Sequence, residues 1–153
     1  MLTIHVHSGS REDLAPLFSE ADDSEREIAS YRELGEVLVA VDDGEIVGHV
    51  QIVEAAELGR FELKSLAVRE ERRSQGIGTS LVQAALAYCC EQGARSVSVA
   101  TAAASTDALK FYQRQGFRIQ RVVRDFYVPS RGYQPFLVNG IPLLDEVILD
   151  LAL

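Results

Sequence analysis

The run Arg72-Arg73-Ser74-Gln75-Gly76-Ile77-Gly78-Thr79-Ser80-Leu81 constrains this chain more than any other segment. It follows an apolar stretch, Leu63 to Val68, that reads as a strand. It opens a run with apolar residues at Ile77, Leu81, Ala85 and Tyr88, whose steps of three and four predict a helix to about Gln92. A helix start carries backbone N–H groups with no internal partner and about half a positive charge. Two glycines placed there let an anion approach those donors with no side chain in the way. Arg72 and Arg73 add positive charge beside them. The pattern is that of a pyrophosphate cradle, and two common cradles are excluded. A P-loop needs lysine after its second glycine, but Gly78 is followed by Thr79. The dinucleotide fingerprint needs a third glycine where Leu81 stands.

The elements on either side are legible from period and punctuation. Thr3 to His7 reads as a first strand. Ser10 to Glu20 and Ser24 to Leu34 read as two helices, with Ser10 as a cap and Gly35 as a stop. Val37 to Val41 is apolar and β-branched, a buried strand. Asp42-Asp43-Gly44 turns it into Ile46 to Glu54. Arg60 to Val68 is the next strand, and the long helix after it ends at Gly93. Arg95 to Thr101 alternates as a strand. A helix follows, capped by Ser105 or Thr106 and ended by Gly116. Phe117 to Tyr127 reads as a long strand, 129–142 as a loop, and Val147 to Leu151 as the last strand. The order is βααββ, then βαβα, then ββ: an α/β chain with a mixed sheet of about seven strands and four helices. With no repeat or linker, residues 1–153 are expected to form one domain.

Charge is uneven. Residues 1–62 carry 15 acidic and 4 basic side chains, a balance of −11, whereas residues 63–153 carry 8 acidic and 11 basic, a balance of +3. The basic half holds the cradle; the acidic half either attracts a cationic acceptor or simply solvates exposed helices. The net charge of −8 argues against nucleic acid as a partner. No apolar stretch is long enough to span a bilayer, and the first residues do not read as a signal peptide, so no membrane role and a cytoplasmic location are expected. Cys89 and Cys90 are adjacent on one predicted helix, which does not suit a disulfide. His5, His7 and His49 lack metal-ligand company, and no metal is expected.

Arg73-Ser74-Gln75-Gly76-Ile77-Gly78 matches the pattern Arg/Gln-x-x-Gly-x-Gly/Ala at every fixed position, directly after a strand ending in Val. Ala108-x-x-x-Tyr112-x-x-x-Gly116-Phe117 follows after the next strand. In this order the two segments resemble the GNAT superfamily of N-acetyltransferases. The specific likeness covers about residues 60–118. It implies the GNAT fold and acetyl-CoA as cosubstrate. It also implies direct transfer of an acetyl group to a primary amine of a small molecule or a protein. A homodimer is a frequent state in that family. Two alternatives stay open: a non-catalytic acyl-CoA sensor, and transfer of a larger acyl group.

The resemblance also assigns residues. Leu66, Ala67 and Val68 would face the pantetheine arm, with the Leu66 N–H polarising the thioester carbonyl. Arg73, Ser74, Gln75, Gly76, Ile77, Gly78 and Thr79 would grip the pyrophosphate. Tyr112 would protonate the departing thiolate, since an ordinary phenol of pKa near 10 suits that task. Glu62 would serve as base through one water, or is only a solvent-facing strand residue, with water alone or backbone carbonyls as base. On an unbulged strand Glu62, Lys64 and Leu66 share one face. Ser105 stands where many relatives carry a cofactor-binding Asn; it is either a shorter contact of the same kind or only a helix cap. Tyr133 and Phe136, on the long loop, either line an acceptor pocket or pack the loop down.

Overall fold

The computed structural model describes residues 1–153. Chain order runs β1 (Thr3–Val6), a 3-10 turn (Arg11–Leu14), α1 (Ala15–Ala21), α2 (Glu25–Tyr31), β2 (Glu36–Asp42), β3 (Glu45–Glu54) and β4 (Arg60–Val68). A second 3-10 turn (Glu70–Arg72) leads into α3 (Ile77–Glu91), then β5 (Ser96–Ala102), α4 (Thr106–Arg114) and β6 (Arg118–Val123). A third 3-10 turn (Pro129–Arg131), a small hairpin of β7 (Leu137–Val138) and β8 (Ile141–Pro142), and β9 (Glu146–Ala152) complete it. Seven strands form one mixed sheet in the order β1-β2-β3-β4-β5-β9-β6. Only β4 and β5 pair in parallel, because α3 is the crossover that connects them.

Two apolar layers sandwich the left half of this sheet. On one face α3 drops Ile77, Leu81, Val82, Ala85 and Cys89 onto Leu38, Val50, Leu63 and Val97. On the other face Leu14, Leu17, Phe18, Ile28 and Tyr31 from the first turn, α1 and α2 cover Val37, Val39 and Ala67. The strand β2 is therefore buried on both sides, which is why Val37 to Val41 shows no polar alternation. Burying a side chain the size of Leu81 stabilises the fold by roughly 1.5–3 kcal/mol. Ser10 caps the first turn by accepting from Glu12 N–H, and Ser24 caps α2 by accepting from Glu27 N–H.

Two expectations need correction. The strand after α4 ends at Val123 rather than Tyr127, because Asp125 adopts φ 56° and turns the chain. The segment 129–142 is not irregular throughout: it contains the 3-10 turn and the β7–β8 hairpin, which fold back under Tyr133 and Leu143.

Candidate functional site

The strands β4 and β5 part company halfway along. Their parallel pairing runs from Arg60↔Ser96 to Leu63↔Val99 and then stops. Beyond Leu63 the two strands diverge and leave two unpaired backbone edges. A bulge in β4 marks the same place: its register with β3 jumps from Gln51↔Ser65 to Ile52↔Leu63, so Lys64 is an extra residue. This overturns the expectation that Glu62, Lys64 and Leu66 share a face. Lys64 sits over the Tyr31 ring, 4.9 Å from its centre, on the α2 side, while Leu66 packs toward the core beneath α3.

Backbone direction follows from alternation. Arg69 N–H donates to Val47 O, and the Ala67 carbonyl oxygen leaves only 3.0 Å for a Cβ on Gly48, so both residues address β3. The peptide groups of Leu66 and Val68 therefore turn the other way, into the opening between β4 and β5.

The cradle closes the same end of the opening. Gly76 stands at the N-cap of α3 with φ 82°, a left-handed conformation that favours glycine, and a Cβ there would meet nothing within 4 Å. Ser74 shares the left-handed region at φ 61°. The first helical bond is Ser80 N–H to Gly76 O, so the N–H groups of Ile77, Gly78 and Thr79 precede the ladder and lack a helical partner. The two arginines are not free charges. Arg72 is paired with Asp42 at 2.6 Å and donates to Gln75 Oε1. Arg73 is paired with Glu20 of α1 at 2.7 Å and donates to Val68 O. The positive character of the cradle thus rests on the helix start more than on these side chains.

Helix α4 packs against this loop. A Cβ on Gly78 would lie 3.4 Å from the Phe111 ring, and Gln115 Nε2 donates to Thr79 Oγ1 at 3.1 Å. Tyr112 follows Phe111 and is almost fully buried, edge-on to Phe111 and Phe117 at 5.2 and 5.8 Å. Burial pushes its phenol up to about 12. It is therefore a weaker acid than the sequence suggests, and protonated across any ordinary assay range. Ser105 holds the N-cap position of α4, but its side chain makes no capping bond; it lines the cavity described next.

A cavity of about 160 Å³ lies at the other end of the opening. Its walls come from Glu62 and Lys64 of β4, from Ala100, Thr101 and Ala102 of β5, and from the α1–α2 turn with Asp22, Asp23, Glu27 and Tyr31. The rest comes from the segment between β6 and β9: Phe126, Tyr127, Tyr133 and Glu146 at the start of β9. A strap covers it. Ser24 Oγ donates to Arg131 O at 2.7 Å, Arg26 donates to Ser130 O, and Tyr133 donates to Asp22 at 2.7 Å. A Cβ on Gly132 would sit 2.4 Å from Ser24 Oγ, so only glycine permits this approach. Tyr133 is buried and lines the cavity, doing both things considered for it, whereas Phe136 is 59% exposed and does neither.

The electrostatics of this cavity are acidic. Asp22 accepts from Tyr31 at 2.8 Å, from Tyr133 and from Ser24 N–H, and its charge raises both phenols after burial has done so. Asp23 and Glu146 are held above the usual carboxylate range, chiefly by burial. Glu62 lies 4.0 Å from Lys64. Sequence reasoning found Glu62, Ser105 and Tyr133 but missed Asp22, Asp23, Glu27, Tyr31, Tyr127 and Glu146. The one available signal was the excess of acid in the first 62 residues; nothing local marks these positions.

Known proteins share this arrangement. The family described as "Acetyltransferase (GNAT) family" matches residues 6–117. The uncharacterized N-acetyltransferase YvbK of Bacillus subtilis is 31% identical over 99% of this chain and 97% of its own length. Among solved structures, a GNAT family acetyltransferase from Elizabethkingia anophelis with acetyl-CoA bound superposes with TM-score 0.92 at 29% identity, over 99% of this chain and 98% of that one. A Bacillus subtilis acetyltransferase in complex with CoA gives 0.91 at 29% identity, over 100% and 99%. A strand pair opening onto a glycine-lined helix start is thus found together with a match over most of the chain, and the protein belongs to the acetyltransferase (GNAT) family.

Proposed function

We propose that this protein transfers the acetyl group of acetyl-CoA directly to a primary amine that enters the acidic cavity. The observation that carries this reading is the succession of three parts along the β4–β5 opening: the free N–H groups of α3, the open backbone edge at Leu66 and Val68, and the cavity. The donors of Ile77, Gly78 and Thr79, with Ser74, Gln75 and Gly76 shaping the loop, fit a diphosphate. Arg73 exchanges Glu20 for it. Leu66, Ala67 and Val68 lie along the pantetheine arm, and Ser105, at the start of α4, borders the thioester. The Leu66 N–H then faces the carbonyl oxygen, where a preorganised donor contributes about 3 kcal/mol as negative charge develops.

The chemistry balances as two protons lost from the ammonium nitrogen, one before attack and one as the C–N adduct collapses, the second ending on the released thiolate, with one C–N bond formed and one C–S bond broken. Glu62 takes the first proton, directly or through a water, and the amine nitrogen attacks the carbonyl carbon as the sulfur leaves. Lys64 beside Glu62 disfavours a second positive charge nearby, which eases that deprotonation. Tyr112 donates a hydrogen bond to the departing sulfur. A phenol near 12 is a poor match for complete transfer to a thiolate of ordinary pKa, roughly 3.5 units lower. Its contribution is therefore stabilisation of the thiolate, with the proton following once the sulfur is itself desolvated.

Calorimetry with acetyl-CoA and thiol release with a panel of amines test this reading together. Binding in the micromolar range and amine-dependent release are expected. Binding without release for any amine would instead support a non-catalytic sensor. A preference for longer acyl-CoA would support the other alternative.

A further inference from the structure

Resting on that reading, we infer that the acceptor is a small amine carrying a second cationic group, a diamine or longer polyamine, held in the strap-covered cavity. The lining supplies five carboxylates, Asp22, Asp23, Glu27, Glu62 and Glu146, against one ammonium, Lys64. Three of the five already have partners. Asp22 is saturated by two phenols and an amide N–H, Glu27 has Arg131 at 3.8 Å, and Glu62 has Lys64. Asp23 is exposed and Glu146 half-buried, and neither forms an ion pair within the chain. Lys64, Arg131 and Arg121 act on Glu146 only from beyond ion-pair distance, so both carboxylates stay open to a counter-charge from a ligand. A monoamine cannot supply it, because its only charge must be surrendered at Glu62 before attack. A second ammonium keeps its charge throughout.

The rings agree with this assignment. Tyr31, Phe126, Tyr127 and Tyr133 face the same space, with Tyr127 and Tyr133 edge-to-face at 4.9 Å. The chain's own cations already use such faces: Lys64 sits over Tyr31, and Arg131 over Phe126 at 4.3 Å. Tyr127 shares the cavity lining with Glu146, Asp22 and Asp23. A neighbouring groove of about 480 Å³ on the open sheet face shares Glu62, Lys64 and Glu146 with the cavity. Its other charged residues, Arg60, Arg121 and Asp150, are not acidic in balance. The groove is an entrance through Glu146, and the field draws the second cation past it to Asp23. The strap closes the α1–α2 side of the cavity.

The test compares diaminobutane, aminobutane and a tripeptide with a free N-terminus, at saturating acetyl-CoA, by thiol release. Diaminobutane is expected to exceed aminobutane in kcat/KM by about 30-fold, and that ratio to fall several-fold as salt rises from about 0.05 to about 0.5 M. Asp23→Asn and Glu146→Gln should each raise KM for diaminobutane more than for aminobutane. Equal use of both amines, or a preference for the tripeptide, would overturn the inference and leave acetyl transfer intact. So would calorimetry showing no diaminobutane binding to the CoA-loaded protein. Absence of acetyl-CoA binding would overturn the underlying reading instead.

Discussion

The two ends of the opening between β4 and β5 are built from different materials. The cradle end is made of backbone. Its donors are the amides of Ile77, Gly78 and Thr79, its shape depends on Gly76 at φ 82°, and its two arginines are neutralised by Asp42 and Glu20. The cavity end is made of side chains. Its carboxylates and phenols come from α1–α2, β4 and the strap, segments as far apart as Asp22 and Tyr133. Backbone recognition suits a ligand shared by a whole family, because it survives change in most side chains. Side-chain recognition suits an acceptor that differs from one member to the next.

This division makes unequal demands on substitution. The largest effect is expected at the cradle, from Gly76→Val. A β-branched residue in the left-handed region costs about 1–2 kcal/mol, and its methyls would point where the anion approaches. Calorimetry should show acetyl-CoA affinity down by about 100-fold, with diaminobutane binding little changed; a parallel loss of both would mean that the two ends are not separable. Next comes Tyr112→Phe, which should lower kcat by about 30-fold with KM for acetyl-CoA nearly constant. Because burial holds the phenol near 12, the wild-type rate should show no fall from Tyr112 below about pH 10. A full-rate phenylalanine variant would take Tyr112 out of the chemistry.

The side behind the cavity has its own pH signature. His49 is buried between Phe18 and Ser65, bonded to Ser65 Oγ at 2.8 Å, and burial lowers its pKa to about 3. The unfolded chain protonates first, near 6.5, so stability is complete above that value and lost as pH falls toward 3. Denaturant titrations should show about 2 kcal/mol less stability at about pH 5 than at neutrality, and His49→Gln should flatten that slope. An unchanged slope would assign it to the acidic cavity instead. The smallest effect is expected from Glu20→Gln. Its pair with Arg73 is about half exposed and contributes under about 1 kcal/mol. Freeing Arg73 should tighten acetyl-CoA about threefold; weaker binding would mean that Glu20 positions the arginine rather than competing for it.

The sequence was readable where structure depends on neighbours in the chain. Strand β4 was placed residue for residue, and α3 and its cradle followed from the glycine spacing and the apolar steps. Elements that depend on distant partners were not readable. The bulge at Lys64 reflects the divergence of β4 from β5, which no local pattern encodes, and it moved Leu66 to the opposite face from Glu62. The early end of β6 comes from a turn at Asp125 whose N–H is held by Asp145 Oδ1, twenty positions on. The orientation of Arg72 and Arg73 was hidden for the same reason: Asp42 and Glu20 come from other elements. The role of the α1–α2 turn as a cavity wall was visible only as an excess of acid.

Asp22 is bound by groups from three places: Ser24 beside it, Tyr31 at the end of α2, and Tyr133 on the strap. It acts as a rivet through the cavity wall, beside the ties from Ser24 and Arg26. Lengthening or shortening the β7–β8 tip leaves that rivet in place, so the rim can be recut freely while its anchorage persists. Losing the carboxylate would free Tyr31 and Tyr133 together, while Ser24 and Arg26 would still tie the strap through Arg131 and Ser130.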